Sequence, residues 1–258
     1  MTYGTFNFPF NSCNTNEINL INSSDSNISN ENLNYNLNTK ETLAVNLCDD
    51  DLEIKLSNLE DCKYYSAEEF EKVNFEKRFN IFHNNVNGLE TKFGQLHHFI
   101  ASLTSELDVI AITETSHNDN DKFKSNIKID NYKLFSTPTN TAKGGTANFS
   151  HKKFDTIERL DLKIQHTHYE SVWVEFKNKK CKNVICGSLY RHPHDALDIY
   201  DDFLNYLESC ISKITAENKI IYLSGDFNSD LLKYDNTNNY KNFYDLLSSY
   251  GIFPMKLL

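Results

Sequence analysis

The sequence shows no zinc-type cysteine pattern, no signal-peptide pattern in its opening residues, no membrane-length apolar run and no excess of basic charge. Its six cysteines, Cys13, Cys48, Cys62, Cys181, Cys186 and Cys210, include no CxxC pair, which argues against a cysteine-ligated zinc site. The opening MTYGTFNFPFNS has neither a basic start nor an apolar stretch, so a secretory signal is not expected. The thiols are then expected to be free, in a reducing compartment. No apolar run approaches the ~20 residues of a membrane span. These absences together point to a soluble, intracellular chain without membrane contact, with nucleus and cytoplasm both open. The net charge is −10 and the pI about 5.4, a poor balance for a protein that coats nucleic acid. That charge is unevenly placed. Residues 1–78 hold 14 acids against six bases, so the remainder is nearly neutral and leaves room for a local basic patch. Internal repeats are also absent.

The chain contains 258 residues, 39% hydrophobic and 13% aromatic, enough for one large domain but not for a core over the whole length. Residues 1–60 are a different material from the rest. NSCNTNEINLINSSDSNISNENLNYNLNTK is Asn/Ser-rich with scattered apolar residues, and CDDDLEIKLSNLEDC adds an acidic run. Such a stretch buries too little to offset ordering, and disorder is expected. The folded domain is expected over 61–258. A capping box, Ser66 with Glu69, opens a short helix there. FNIFHNNVNGL (79–89) reads as a strand running into a Gly turn. LETKFGQLHHFIASL carries apolar residues at helical spacing, and DVIAITET (108–115) reads as a buried strand. YKLFSTP, GGTANFSHK, SVWVEF (171–176) and VICGSLY (184–190) follow as strands. ALDIYDDFLNYLESCISKI is amphipathic, with Leu197, Tyr200, Phe203, Leu204, Leu207 and Ile211 on one face. A strand at 219–224 and a helix stopped by Gly251 close the pattern. Strands interrupted by helices in this irregular order fit mixed sheets with covering helices.

One feature recurs along the chain. FHNNVNGL ends in Asn85 and Asn87, VIAITET in Glu114, ICGSLYRHP in Tyr190 and Arg191, and IIYLSGDFN in Asp226 and Asn228. Four apolar strands each deliver polar groups at their C-terminal ends, where α/β folds keep their sites. Asp226 and Asn228 are two apart and share a side if extended geometry continues. Each pair alone is an ordinary turn or cap; the recurrence is not. Carboxylates suit a hard cation such as Mg²⁺, while Asn amides and a Tyr hydroxyl donate to phosphate without repelling it. Metal-assisted phosphodiester hydrolysis needs that combination.

NNVNGL, AITET, GGTANF, ESVWVEF, GSLYRHP and LSGDFN, in that order, resemble the endonuclease/exonuclease/phosphatase superfamily. They are most similar to the apurinic-endonuclease-like domain of non-LTR (LINE-type) retrotransposons, over roughly residues 62–254. The resemblance implies an α/β fold: a four-layer sandwich of two mixed β-sheets flanked by helices. It implies Mg²⁺ or Mn²⁺ as cofactor, DNA as partner and no nucleotide cofactor. Glu114 matches the metal-holding carboxylate, and Asp226 the residue that orients and deprotonates the attacking water. Asn228 matches the amide beside it, Asn85 the first-strand Asn that supports phosphate and metal, and Tyr190 the phosphate-contacting Tyr. Asn87 and Arg191 fall at substrate-binding positions; His192 separates Arg191 from Pro193, where the retrotransposon branch has Tyr-Arg-Pro.

The family pattern ends with a late Asp and a Ser-Asp-His, and none of the nine His residues follows Asp226. The resemblance therefore implies a domain missing its C-terminal strands, with weak or no nicking activity. Two alternatives stand beside it: a catalytically dead fragment, and a cellular phosphoesterase of the same superfamily acting on another phosphodiester. His192 and His194 are expected at the surface.

Overall fold

The structure is a computed structural model that describes residues 4–9, 72, 78–118, 121–193, 197–229 and 238–253. Two mixed β-sheets stack face to face, with helices on both outer sides, the expected four-layer α/β sandwich. Each sheet comes from one continuous part of the chain. The first holds β1 (Gly4–Pro9), β2 (Arg78–Asn85), β3 (Val109–Thr113), β4 (Tyr132–Thr137) and β5 (Thr146–His151), in the order β1-β2-β3-β5-β4. The second holds β6 (Thr156–Glu158), β7 (Ile164–Gln165), β8 (Tyr169–Phe176), β9 (Val184–Arg191) and β10 (Ile220–Asp226), in the order β10-β9-β8-β6, with β7 also on β8.

Each sheet contains one parallel pair joined through a helix. β2 and β3 are parallel and linked through α1 (Leu89–Ser102); β9 and β10 are parallel and linked through α3 (Leu197–Ala216). A parallel pair requires such a crossover, and it brings both strand C-termini to one edge. The remaining described helices are α2 (Asp121–Asn126) and α4 (Asn238–Ser249).

Three apolar layers hold the sandwich together. Phe82, Ile110, Ile112 and Phe149 of the first sheet pack against Leu89 and Leu96 of α1 and Phe123 of α2. Trp173, Ile185 and Leu189 of the second sheet pack against Phe203, Leu207 and Ile211 of α3 and Phe243 of α4. Between the sheets lie Phe79, Ile81 and Val109 from one side and Val172, Val174, Phe176 and Val184 from the other. Phe79 meets Phe176 edge to face at 5.3 Å. Each such side chain, fully buried, stabilises the fold by roughly 1.5–3 kcal/mol. The buried stripe of α3, Tyr200, Phe203, Leu207, Ile211 and Ile214, has the helical spacing read from the sequence, except that Leu197, expected on that face, is exposed at the helix start. α4 closes as expected at Gly251, where the Ile252 N–H reaches back to the Leu247 carbonyl at 2.9 Å, the Schellman ending.

The structure adds elements that the sequence pattern did not carry. β1 lies inside the 1–60 stretch expected to be disordered and pairs antiparallel with β2, Gly4 opposite His83 and Pro9 opposite Arg78. The rest of that stretch, and the Ser66–Glu69 cap, lie outside the described residues. α2, β6 and β7 are too short for periodicity to register. The expectation of free thiols is corrected at Cys181, which is disulfide-bonded; Cys186 and Cys210 are free and buried.

An ion cluster ties β6, β8 and the end of α3 together. Arg159 grips Glu217 through two bonds of 2.8 and 2.7 Å and reaches Asp161 and Glu175. Lys219 bridges Glu175 and Glu217 at 2.8 and 2.6 Å. The hydrogen bonds from Arg159 hold Glu217 down at about 2 and Asp161 well below the usual carboxylate range. A depressed carboxylate stabilises the fold above its unfolded value and loses that stabilisation as pH falls towards its folded value. Glu217→Gln should therefore cost about 1 kcal/mol at pH 7, after discounting for its partial exposure. Thermal melts should show wild type and variant converging between pH 5 and pH 2. A gap that stays constant over that range would remove this cluster from the acid response.

Candidate active site

The face between the sheets changes character along the strands. In β2, Phe79 and Ile81 belong to the inter-sheet apolar layer, and period-two alternation puts His83 and Asn85 on the same face further along. In β10, Tyr222 packs against that layer, and Ser224 and Asp226 follow. In β9, Val184 and Cys186 are succeeded by Ser188 and Tyr190. The apolar end welds the sheets, and the polar end is where both parallel pairs finish. Asp226 stands opposite Tyr190 in one sheet and Asn85 opposite Thr113 in the other.

Across the gap these ends meet. The Asn85 amide, Nδ2, donates to Glu114 Oε1 and to Asp226 Oδ2, both at 2.8 Å. The Tyr190 hydroxyl donates to Glu114 Oε1 at 3.3 Å. The second Asp226 oxygen, Oδ1, accepts the Asn228 backbone N–H at 3.1 Å. Two carboxylates from opposite sheets, 112 positions apart in the sequence, are thus joined by one carboxamide. Asn85 is exposed and Glu114 and Asp226 are half-buried, so the cluster opens to solvent. Burial, with Glu114 next in effect, pushes the Tyr190 hydroxyl well above the ordinary tyrosine range, and it stays protonated as a donor.

The backbone is bent to make this arrangement. Glu114 has φ 52° and Asn228 φ 47°, left-handed conformations that a non-glycine residue adopts at a cost of ~1–3 kcal/mol. The first turns the chain out of β3 so that the Glu114 carboxylate faces β10. The second ends the extended geometry after Asp226.

That second turn corrects one expectation. Asn228 does not point the same way as Asp226: its Nδ2 donates to the Arg191 carbonyl at 2.6 Å, and only its backbone N–H serves Asp226. Arg191, expected to contact substrate, is buried and turned inward. Its guanidinium donates to the Phe227 and Asn228 carbonyls, both at 2.7 Å, and to the His192 carbonyl at 3.1 Å. It also lies over the Tyr200 ring at 4.7 Å. The planar five-donor fork suits such a clamp, so Arg191 holds the loop that carries Asp226. Asn87 is exposed at the entry to α1, with φ 46°; among the described residues no hydrogen bond joins its side chain to the cluster.

Other residues at this end were not singled out by sequence reasoning. His83 lies one step below Asn85, its Nε2 3.1 Å from the Thr113 hydroxyl. Burial lowers it to about 4 against the opposing pull of Asp226, so it is neutral at pH 7. His192, expected at the surface, is largely covered and faces Glu170, a buried carboxylate on β8.

Among the described residues no group of three or more His, Cys, Asp and Glu could hold a metal. The cluster offers two carboxylates, an amide and a hydroxyl, all hard or neutral donors, with no thiol or imidazole in bonding contact. That set fits a cation that takes few protein ligands and keeps water, as Mg²⁺ does, and does not fit structural zinc.

The fold is an α/β sandwich of two mixed sheets, with carboxylates, amides and a tyrosine gathered at the strand ends. The profile of the Endonuclease/Exonuclease/phosphatase family matches residues 85–254, and the chain belongs to that family. No curated protein matches the sequence. Similar solved structures include the endonuclease domain of TRAS1, a telomere-specific non-LTR retrotransposon, at 12% identity and TM-score 0.46, covering 66% of this chain and 71% of that one. The human Nocturnin catalytic domain with bound sulfate is similar at 15% identity and TM-score 0.48, covering 66% and 73%. The 3'-5' exonuclease NExo from Neisseria meningitidis is similar at 16% identity and TM-score 0.48, covering 65% and 70%. Among the described residues no helix is long and apolar enough to cross a membrane.

Proposed function

We propose that the protein hydrolyses phosphodiester bonds of DNA with Mg²⁺ or Mn²⁺, at a weak rate, as the nicking endonuclease domain of a LINE-type element. The observation that carries this reading is the meeting of Glu114 and Asp226 at Asn85. Two like charges brought together by strained backbone, and joined by only one amide, are a binding site for a divalent cation. The retrotransposon branch rests on the ordered motif set NNVNGL to LSGDFN.

Glu114 and Asp226, with Asn85 beside them, would hold the cation. When bound, it draws charge from a phosphoryl oxygen and offsets the negative charge that builds up there. The chain's own groups do the rest. Asp226 accepts the proton of the attacking water, and the Asn228 N–H fixes the orientation of its carboxylate. The water oxygen attacks phosphorus, the P–O bond opposite it breaks, and the departing oxygen takes a proton from the solvent to which the cluster is open. With the carboxylates engaged by the cation, the Tyr190 hydroxyl and the Asn85 amide, which donate to Glu114 and Asp226 in this structure, would be released to donate to the equatorial oxygens, where donors act without adding repulsion. His83, neutral, leaves the charge of Asp226 intact.

Supercoiled plasmid incubated with the 258-residue chain should be nicked with Mg²⁺ and left intact with EDTA. The Glu114→Ala protein should lose the Mg²⁺-dependent part and also the rise in Tm that Mg²⁺ gives wild type. Equal nicking by wild type and Glu114→Ala would overturn the assignment.

A further inference from the structure

Glu170 is a charged group that the hydrolytic scheme does not use. It sits on β8 opposite Tyr190 of β9, on the inter-sheet face. Its side chain has 0% exposure. The Thr139 hydroxyl donates to its Oε1 at 2.7 Å, while Oε2 has no hydrogen-bond partner. The 138–145 loop closes directly over it: a Cβ on Gly144 would stand 2.8 Å from Oε1 and 3.0 Å from Oε2. A buried carboxylate with an orphan oxygen costs several kcal/mol unless a donor or cation faces it. The ionisable group that approaches it is His192, whose Nε2 lies 3.5 Å from Oε1 without a hydrogen bond between them, so Nε2 and Oε2 are both buried without a hydrogen-bond partner. The His192 ring in turn meets the Tyr190 ring edge to face, with centroids 4.9 Å apart.

Three groups therefore stand in a row: Glu170, His192 and Tyr190, with the Tyr190 hydroxyl on Glu114. A carboxylate 3.5 Å from one imidazole nitrogen attracts the proton of that nitrogen and biases the ring's orientation; the contact closes to a hydrogen bond behind catalytic and metal-bound histidines. Here the ring so fixed lies against a tyrosine. We propose that Glu170 and His192 are positioning residues for the hydrolysis proposed above: the buried carboxylate orients His192, and His192 holds the Tyr190 hydroxyl where it meets the substrate phosphate. The proposal rests on that hydrolytic reading. It accounts for a feature that stability disfavours, because a neutral group in place of Glu170 would remove a buried carboxylate of which one oxygen has no partner. Sites retained at the expense of stability are those where function requires the strain.

The test uses Glu170→Gln, which keeps shape and the Thr139 contact but removes the charge. Nicking kcat should fall about 10–100-fold, the usual effect of losing a partner behind a functional group, with KM for DNA little changed. The Tm should stay the same or rise, which a merely structural residue would not show. In a Tyr190→Phe background the same substitution should have no further effect on kcat, because its influence passes through the hydroxyl. His192→Phe, which keeps the ring contact, should match Glu170→Gln. An unchanged kcat in Glu170→Gln, or losses that multiply with Tyr190→Phe, would overturn the positioning role while leaving the hydrolase intact. Wild-type protein that nicks nothing with Mg²⁺ would instead remove the hydrolytic reading, and this one with it.

Discussion

Asp226→Asn should reduce Mg²⁺-dependent nicking by about 10³-fold, within the 10²–10⁴ that a general base contributes. The substitution is isosteric. The Asn228 N–H can still donate to its carbonyl oxygen, but the new side-chain NH2 then faces the Asn85 amide donor to donor, so that contact is lost. What disappears is the acceptor for the water's proton and half of the negative charge beside Glu114. The fold should hold with Tm little changed, since relief of two converging carboxylates offsets the lost Asn85 contact. Glu114→Gln should cost a comparable factor. The double variant should be no worse than the poorer single, because groups that act as a unit do not lose activity additively. Single-turnover nicking of a supercoiled plasmid measures all three. A residual rate for Asp226→Asn within about threefold of wild type would mean that the proton goes elsewhere.

The largest stability effect should come from Gly225→Ala. β10 does not stop at this glycine, as the sequence pattern implied, but runs through it to Asp226. A Cβ at Gly225 would lie 1.9 Å from the Leu189 carbonyl oxygen and 2.8 Å from its carbon. Both are backbone atoms of the neighbouring strand, so no rotamer change relieves the clash; β9 and β10 must separate. Gly225 also has φ 154°, a conformation that L side chains rarely adopt. The cost should reach about 4 kcal/mol or more, the range of severe single substitutions, against a total of only ~5–15 kcal/mol for a typical domain. Melting followed by circular dichroism should fall by roughly 8–16 °C for a domain of this size. Nicking should vanish with it, since Asp226 is the next residue. A loss under about 3 °C would show that the strands part cheaply there.

The positions that meet in the candidate site were legible in the sequence because a strand buried on both faces leaves few reasons for a carboxylate or amide at its end. Asn85, Glu114, Tyr190 and Asp226 were found that way, and all four share one hydrogen-bonded cluster. Side-chain direction was less legible. Nothing in GSLYRHP reveals that Arg191 turns inward to two carbonyls, because both faces of β9 are buried. Asn228 was misdirected by assuming that extended geometry persists past Asp226, when a single left-handed residue ends it. Glu170 was passed over for a related reason. YESVWVEF is buried along its whole length, so no polar/apolar alternation separates the face towards the cleft from the face towards α3. The Arg159–Glu217 pair spans 58 residues and leaves no local trace at all.

The first sheet is complete by His151 and the second begins at Thr156. Asn85 and Glu114 come from the earlier half of the chain, Tyr190 and Asp226 from the later. A polypeptide opened within 152–155 would therefore divide the reactive groups evenly between two fragments, each with its own strand–helix–strand unit. Recovery of hydrolysis on mixing such fragments would report that the two faces had found one another in the right alignment.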